Sequence, residues 1–308
     1  MSIDGKKLAC DDCVTVAMAG SDELGEGPHW SEAEQTLYWV DIVNPALQSF
    51  AIGPSGDPDV TTLQRRSLTE QTGVVVPACS GGFIAASESG ILTINADMSL
   101  NPIAEPESDR PNNRFNDGKC DSHGRLWASS LSMKGEKGQA SLWRIDPDHT
   151  ITRMLDDIDI GNGLGWNDDE STFYFTDSGK ATIYRFDFNA DTGTLGERQV
   201  FVAPDASRDG VPDGLAVDDE GHVWSAQWDG ACVIRYAPDG SIDRIVRVPV
   251  HRPTSCAFGG KNGSTLFVTS ARVGLSDDQL AEAPLSGSVF AIESGTTGKT
   301  GNLFGRNR

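Results

Sequence analysis

The sequence lacks a long hydrophobic run and is poor in basic residues. No window approaches the length needed to cross a bilayer, and the N-terminal stretch MSIDGKKLACDDC has no apolar segment typical of a secretion signal. Only 25 Lys and Arg stand against 45 acidic residues, which gives a formal net charge of −20. Because phosphate binding draws on Lys and Arg, we expect no nucleic-acid partner and no membrane, and we predict a cytoplasmic protein.

Several catalytic and metal-binding signatures are also missing. The sequence has no GxSxG and no HExxH, and its five histidines do not cluster. Cys10 and Cys13 form a CxxC, but no second pair of Cys or His lies near enough to complete a zinc site. We therefore leave the role of Cys10 and Cys13 open. The remaining cysteines are predicted to be reduced core thiols: Cys79, Cys120, Cys232 and Cys256.

The chain contains a repeat with a period of 40 to 50 residues. Six segments each run from a polar residue through a short strand, a turn rich in Gly or Asp, and a second strand with an aromatic residue. Their starts are spaced 46, 44, 46, 51 and 42 residues apart, and they are Glu26, Thr72, Asn116, Asn162, Asp213 and Ser255. This pattern predicts an all-β fold, a six-bladed β-propeller with four-stranded antiparallel blades, as a single domain over residues 1–308. The first twenty residues could help to close the propeller.

The six starting residues should form a ring around the propeller axis, because equivalent positions of every blade face the axis at one height. Their carboxylates and amides would offer oxygen ligands of the kind that Ca²⁺, Mg²⁺ or Mn²⁺ prefers. Without a cation, acids this close would repel and one would take up a proton. The spacing leaves two alternatives, a cation site or a water-filled structural channel. Arg114 lies two residues before Asn116, where it could bind a carbonyl or hydroxyl-rich substrate, or form a surface salt bridge.

Several motifs, taken in order, resemble those of the family that joins senescence marker protein (regucalcin), gluconolactonases and luciferin-regenerating enzyme. They are LGEGPHW, LYWVDI, NNRFNDGK, GNGLGW, VPDGLAVD and TSCAFGGKN, within a match that runs from about residue 24 to 292. The resemblance implies a six-bladed propeller with one divalent cation on its axis, an ion of Ca, Mg, Mn, Zn or Fe. It implies Glu26, Asn162 and Asp213 as metal ligands, and Arg114 and Asn116 as substrate contacts.

The resemblance also implies a reaction, the hydrolysis of a gluconolactone-like sugar lactone to the open acid, by a monomer or small homo-oligomer. Asp213 is then the candidate general base, since a carboxylate beside the cation can take a proton from the attacking water. In one departure, Lys134 stands about where the regucalcin branch has a substrate-contacting Glu, and Glu136 follows closely. Two other functions stay open: a non-catalytic propeller that binds a divalent cation or small molecule, as in regucalcin-like calcium binding, and an esterase of the same fold.

Overall fold

A computed structural model of the protein describes residues 8, 10–53, 56–203, 205 and 210–305. In this part of the chain the strands form six antiparallel sheets, which confirms the predicted all-β, six-bladed propeller. The predicted domain limits, residues 1 and 308, fall outside the described residues. No helix in the described ranges is long and apolar enough to cross a bilayer.

The strands follow the chain from blade to blade, and each blade begins with its innermost strand. Ahead of blade 1 lies β1 (Val14–Met18). Blade 1 contains β2 (Gly25–Ser31), β3 (Thr36–Asp41), β4 (Ala46–Ile52) and β5 (Pro58–Ser67). Blade 2 contains β6 (Thr72–Pro77), β7 (Phe83–Ser87), β8 (Ile91–Ile94) and β9 (Leu100–Ala104). Blade 3 contains β10 (Asn113–Cys120), β11 (Leu126–Ser132), β12 (Ala140–Ile145) and β13 (Ile151–Ile158).

The second half of the chain continues in the same way. Blade 4 contains β14 (Gly161–Trp166), β15 (Thr172–Asp177), β16 (Thr182–Asn189), β17 (Thr194–Leu195) and β18 (Gln199–Val202). Blade 5 contains β19 (Val211–Val217), β20 (Val223–Trp228), β21 (Cys232–Tyr236) and β22 (Ile242–Arg247). Blade 6 contains β23 (Pro253–Gly259), β24 (Thr265–Ser270) and β25 (Val289–Glu293), with the short helix α1 (Asp277–Glu282) between the last two. Two 3₁₀ turns complete the described elements, Ser178–Lys180 and Lys261–Gly263.

Blade 4 departs from the four-strand pattern in a small way. Its outermost position is divided between β17 and β18, which pair with opposite ends of the long strand β16. The other five sheets have four strands each.

Blade 6 is completed by strand β1, which comes from the N-terminal part of the described chain. Strand β1 pairs with β25, with Val14 opposite Ile292 and Thr15 opposite Ala291. The expectation that the N-terminal segment helps to close the propeller is therefore confirmed. Because these strands are about 280 residues apart in sequence, the pairing fastens the first blade to the last.

The hydrophobic core is divided into six layers, one between each pair of adjacent blades. The aromatic residues of the repeat lie in these layers. Trp30 of blade 1 stacks on Phe267 of blade 6 with ring centroids 5.7 Å apart, and Trp127 of blade 3 meets Phe173 of blade 4 at 5.3 Å. Burial of such rings stabilises the fold and fixes each blade against the next.

The predicted core thiols are only partly confirmed. Cys120, Cys232 and Cys256 are buried, but Cys79 is exposed. The prediction for Cys79 was wrong because this residue lies in the turn between β6 and β7 rather than on a strand. Cys10 is an exposed thiol, and Cys13 is partly buried against the layer between blades 5 and 6.

The C-terminal segment 294–305 crosses the end of the propeller at which the innermost strands finish, here called the lower end. It bonds in turn to several blades: Lys299 lies 3.5 Å from Asp168, Asn302 donates to the carbonyl of Cys120 at 3.3 Å, and the amide of Phe304 donates to the carbonyl of Pro77 at 3.0 Å. Beneath it lies a cavity of about 80 Å³, lined by side chains that include His29 and Lys119. The segment therefore covers the lower end of the channel.

Candidate active site

The six predicted ring residues all lie on innermost strands, and these strands pack side by side in a closed circle. In every blade the pairing between the innermost strand and its neighbour shifts register at or beside the ring residue. Such bulges re-aim side chains that a regular pleat would hold alternately on the two faces. The ring therefore coincides with an irregular stretch of backbone in all six blades.

Glu26, Asn162 and Asp213 are brought together, and all three are buried. The pKa of Glu26 is raised to about 8, chiefly by burial and then by the charge of Asp117. The pKa of Asp213 is raised well above its usual value by burial and then by the charges of Glu26 and Asp117. The side chain of Asn162 hydrogen-bonds to Asp213 and donates through Nδ2 to Ser178 Oγ at 3.1 Å. These carboxylates repel one another in a dry environment.

Oxygen atoms of this cluster have no hydrogen-bond partner among the described residues. They are Oδ1 of Asn162, Oδ1 of Asp213 and Oδ2 of Asp117. Buried polar atoms normally find a partner, so unpartnered oxygens in a group of repelling acids need an explanation. A hard divalent cation supplies one, since it neutralises the acids and satisfies the oxygens. The donors fit a divalent cation, and Ca²⁺, Mg²⁺ or Mn²⁺ suits an all-oxygen set better than zinc does.

Asp117 is a member of this cluster that sequence reasoning missed, since its neighbour Asn116 was placed in the ring instead. Asp117 is 1% exposed, and its Oδ1 accepts a hydrogen bond from the amide of the next residue, Gly118, at 2.6 Å. Glu26 accepts from the amide of the glycine that follows it at 2.9 Å, and Asp213 does the same with its following glycine. An acid directly before glycine on an innermost strand was the signal that could have identified Asp117.

Glycine is required around the cluster by close backbone contacts. Gly27 has a φ of +55°, and a Cβ at Gly163 would lie 2.5 Å from the carbonyl oxygen of Asp213. A side chain at the first position would be strained and at the second would collide with the neighbouring blade. The glycines of the GEG and GNG motifs thus let strands that carry Glu26 and Asn162 approach their neighbours closely.

Arg114 and Asn116 form a linked pair beside the acids. Asn116 Oδ1 accepts from the Arg114 guanidinium at 2.8 Å, and its Nδ2 donates to the carbonyl of Gly161 at 3.0 Å. Arg114 also donates to the carbonyl of Phe115 at 2.9 Å, is 8% exposed, and has its pKa lowered to about 10 by burial. Within the described ranges no carboxylate forms an ion pair with Arg114. The alternative of a surface salt bridge is therefore wrong, and the buried guanidinium is held by neutral oxygens.

The remaining ring residues, Thr72 and Ser255, differ in their hydrogen bonds. The hydroxyl of Thr72 donates to the carbonyl of Glu70 at 3.2 Å, in its own loop. Ser255 Oγ is buried and has no partner among the described residues. Below the ring, the Lys119 ammonium donates to the carbonyl of Leu215, and its charge lowers the pKa of the nearby acids. Lys119 therefore offsets part of the negative charge from below.

Lys134 and Glu136 lie in the exposed turn that follows β11. Glu136 accepts a hydrogen bond from Ser132 Oγ at 3.1 Å, and Ser132 pairs with Asn113 across the sheet. This turn is therefore next to the strand end that carries Arg114. It lies at the end where the innermost strands begin, which we call the upper end.

A second group of potential metal ligands lies elsewhere, in the turn between β19 and β20. Ligand atoms of Asp218, Glu220 and His222 lie within 4.8 Å of one another. The Arg235 guanidinium already forms ion pairs with Asp218 at 2.7 Å and with Glu220 at 2.5 Å, and Trp224 Nε1 donates to Asp218 at 2.9 Å. These acids are therefore neutralised from within the blade and need no cation.

Comparison with known proteins identifies the family of this chain. The family model described as SMP-30/Gluconolactonase/LRE-like region matches residues 24–272. The chain belongs to this family. A 6-deoxy-6-sulfogluconolactonase of Pseudomonas putida is 38% identical over 282 residues, which cover 91% of this chain and 94% of the relative. A regucalcin of Xenopus laevis is 35% identical over 277 residues, which cover 88% and 90%.

A solved structure of the family extends the comparison to three dimensions. The crystal structure of a regucalcin from Agrobacterium tumefaciens, described as a calcium-binding protein, matches with a TM-score of 0.87 and 31% identity. The match covers 94% of this chain and 96% of that structure. The predicted family is therefore confirmed, and the family includes proteins named as lactonases, in agreement with the predicted enzyme class.

Proposed function

We propose that this protein is a divalent-cation-dependent lactonase that hydrolyses a gluconolactone-like sugar lactone to the open sugar acid. The observation that carries the proposal is the group of buried, unpartnered oxygens of Asn162 and Asp213 beside Glu26. The Pseudomonas putida relative, named as a sulfogluconolactonase, supports the substrate class.

In this proposal Glu26, Asn162 and Asp213 hold one divalent cation. Ca²⁺, Mg²⁺ and Mn²⁺ fit the oxygen donors best, and Zn²⁺ or iron are less suited. When bound, a divalent cation polarises a carbonyl group and lowers the pKa of water. Asp117 adds a third carboxylate to the group and increases its attraction for a cation.

Three side chains of the proposal act on the substrate and the attacking water. Asp213 accepts a proton from the water that attacks the lactone carbonyl, which makes it the general base, and the ring oxygen takes up a proton as its bond to the carbonyl carbon breaks. Arg114 and Asn116 orient the lactone ring through its hydroxyls and carbonyl, and the guanidinium charge stabilises the developing oxyanion. Because Asn116 is already bonded to Arg114 and to the carbonyl of Gly161, it also holds Arg114 in place.

Calcium binding without turnover is the second candidate, since the Agrobacterium relative is described as calcium-binding. A pure cation-binding protein has no use for a buried guanidinium that has no ion-pair partner among the described residues, so Arg114 favours the enzyme. An esterase of the same fold is the third candidate and would keep the cation site while changing the substrate.

A pH-stat assay separates these candidates. Protein treated with EDTA is offered a panel of five- and six-membered aldonolactones and a panel of simple aryl esters, before and after Ca²⁺, Mg²⁺, Mn²⁺ or Zn²⁺ is restored. We expect cation-dependent hydrolysis of at least one aldonolactone. Hydrolysis of esters alone would identify an esterase. Cation binding with no hydrolysis under any condition would overturn the enzyme proposal in favour of a binding protein.

Two predictions from the sequence are kept here: that the protein is cytoplasmic, and that it is a monomer or small homo-oligomer. Fractionation of the producing cells and light scattering of the purified protein test these two points.

A further inference from the structure

Blades 1 and 4, which carry Glu26 and Asn162, share a feature beyond the ring itself. In each blade a buried aspartate ends the second strand, fifteen residues after the ring residue: Asp41 in blade 1 and Asp177 in blade 4. Each aspartate is 1% exposed and pairs across the sheet with the glycine just before the ring residue, as Gly25 with Asp41 and Gly161 with Asp177. Blades 1 and 4 are opposite one another in a ring of six.

Each of these aspartates hydrogen-bonds to the backbone that leads into the ring residue. The carboxylate of Asp41 accepts from the amides of Glu23 at 3.3 Å and Leu24 at 3.2 Å. These amides lie three and two residues before Glu26, so the segment leading to Glu26 is held by one carboxylate.

The carboxylate of Asp177 makes the same two bonds in blade 4. It accepts from the amides of Asp159 at 3.2 Å and Ile160 at 3.1 Å, again three and two residues before the ring residue Asn162. The equivalent segments also reach the preceding blade in the same way, through a bridge between Leu24 and Ala271 and one between Ile160 and Leu131.

In the other four blades the second strand ends in Ser or Trp instead of Asp: Ser87, Ser132, Trp228 and Ser270. Two of these blades, 2 and 6, carry none of the proposed ligands. The aspartates therefore do not follow from the general needs of a propeller blade.

The physical effect of the two carboxylates is to fix the backbone. Hydrogen bonds from an amide to an ionised carboxylate are about twice as strong as bonds between neutral groups. A basic side chain also forms an ion pair with each carboxylate, Arg65 at 3.2 Å from Asp41 and Lys180 at 3.3 Å from Asp177. A ligand side chain binds a cation well only when the backbone that carries it is held within a fraction of an ångström.

We propose that Asp41 and Asp177 are positioning residues for the cation site, which hold the entry segments of two opposite blades so that Glu26 and Asn162 face a common point. Neither aspartate touches the cation. The proposal rests on the proposed function, because it takes Glu26 and Asn162 to be ligands.

The test compares cation affinity by titration calorimetry with Ca²⁺ and with Mn²⁺ in the wild type and in Asp41→Asn and Asp177→Asn. We expect each variant to bind the cation about tenfold more weakly, and its lactonase activity to recover at a high cation concentration. Asp41→Ser is a second variant for the case that Asp41→Asn does not fold. Serine stands at this position in three other blades, and we expect the same weakening.

Asp121→Asn is the matched control. Asp121 is also 1% exposed and accepts from two backbone amides, those of His123 at 3.0 Å and Arg125 at 3.1 Å, but it lies in a turn at the lower end. We expect this variant to unfold at a lower temperature while its cation affinity stays within twofold of the wild type. A general loss of rigidity would instead weaken cation binding equally in all variants.

The outcomes separate this inference from the proposed function. If the wild type binds no divalent cation, both are overturned. If the wild type binds a cation and loses it on Glu26→Gln, but Asp41→Asn and Asp177→Asn bind as tightly as the wild type, only the positioning role is overturned. Equal weakening in Asp121→Asn also overturns that role.

Discussion

The charge of Asp117 raises the pKa of Glu26, although the two residues lie on innermost strands of blades 3 and 1. Asp213, which both of them affect, lies on blade 5. The three carboxylates therefore come from alternate blades of the ring, about a third of a turn apart. This spacing directs three carboxyl groups at the axis from three sides.

The stability of the cation-free protein should fall as pH rises. Glu26 keeps its proton in the folded protein up to a pKa of about 8, whereas its ordinary value is 4.5. Between these values the unfolded chain has lost a proton that the folded protein retains, so the free energy of unfolding decreases with pH, by a few kcal/mol in all. Thermal unfolding in EDTA from pH 5 to pH 9 measures this. Added Ca²⁺ or Mn²⁺ should restore stability at pH 8, and a flat profile without cation would contradict the buried cluster.

Replacing Asp213 should remove both activity and cation binding. Asp213→Ala deletes a proposed ligand and the proposed general base, so we expect lactone hydrolysis to fall at least about a hundredfold and cation affinity to weaken strongly. Initial rates and calorimetry measure the two effects separately. Undiminished turnover would exclude Asp213 as the base.

Asp117→Asn should separate the effect of the Asp117 charge on the cluster from its contribution to cation binding. The change removes one of three repelling charges and keeps the shape of the side chain, so the pKa of Glu26 should move back toward its ordinary value. We expect the cation-free variant to unfold at a higher temperature than the wild type at pH 8, and to bind the cation more weakly. The contrasting variant is Asp121→Asn, which removes a buried carboxylate paired with Arg125 at 2.6 Å and should be less stable than the wild type.

Arg114→Lys should affect the substrate and not the cation. Lysine keeps the positive charge but loses the planar guanidinium, whose Nη1 donates to both Asn116 Oδ1 and the carbonyl of Phe115. We expect kcat/KM to fall about 10- to 100-fold, with cation affinity unchanged. Arg110→Lys is the control: Arg110 is also at the upper end, bonded to the carbonyl of Gln139 at 2.6 Å, and its replacement should leave kcat/KM within about twofold. Equal losses in both variants would argue against a specific role for Arg114.

The fold could be predicted from sequence because every blade of a propeller has the same structural requirements. Each blade needs a turn, a strand and an aromatic residue to fill the layer against its neighbour, and these recur visibly, as at Trp127 and Phe173. Cys79 was misjudged because its apolar surroundings concealed a turn.

The site was harder to predict, since a register shift decides which side chain points to the axis. In a regular strand Asn116 and Asp117 would point to opposite faces, so only one of them was expected in the channel. The register shift between Phe115 and Asp117 changes that geometry. A register shift of this kind cannot be read from residue types alone. The bonds of Asp41 and Asp177 were also hidden, because they depend on pairing between segments well apart in the chain.

The C-terminal segment lies across the lower end of the channel, with residues 299–302 lining the cavity beside His29 and Lys119. We therefore expect small molecules to reach the acidic cluster from the upper end, near Arg114. Under the proposed function, the sugar acid formed at the cluster would leave by the route along which the next lactone arrives. Substrate entry and product release would then share one route, and slow release of the acid would limit turnover even when hydrolysis itself is fast.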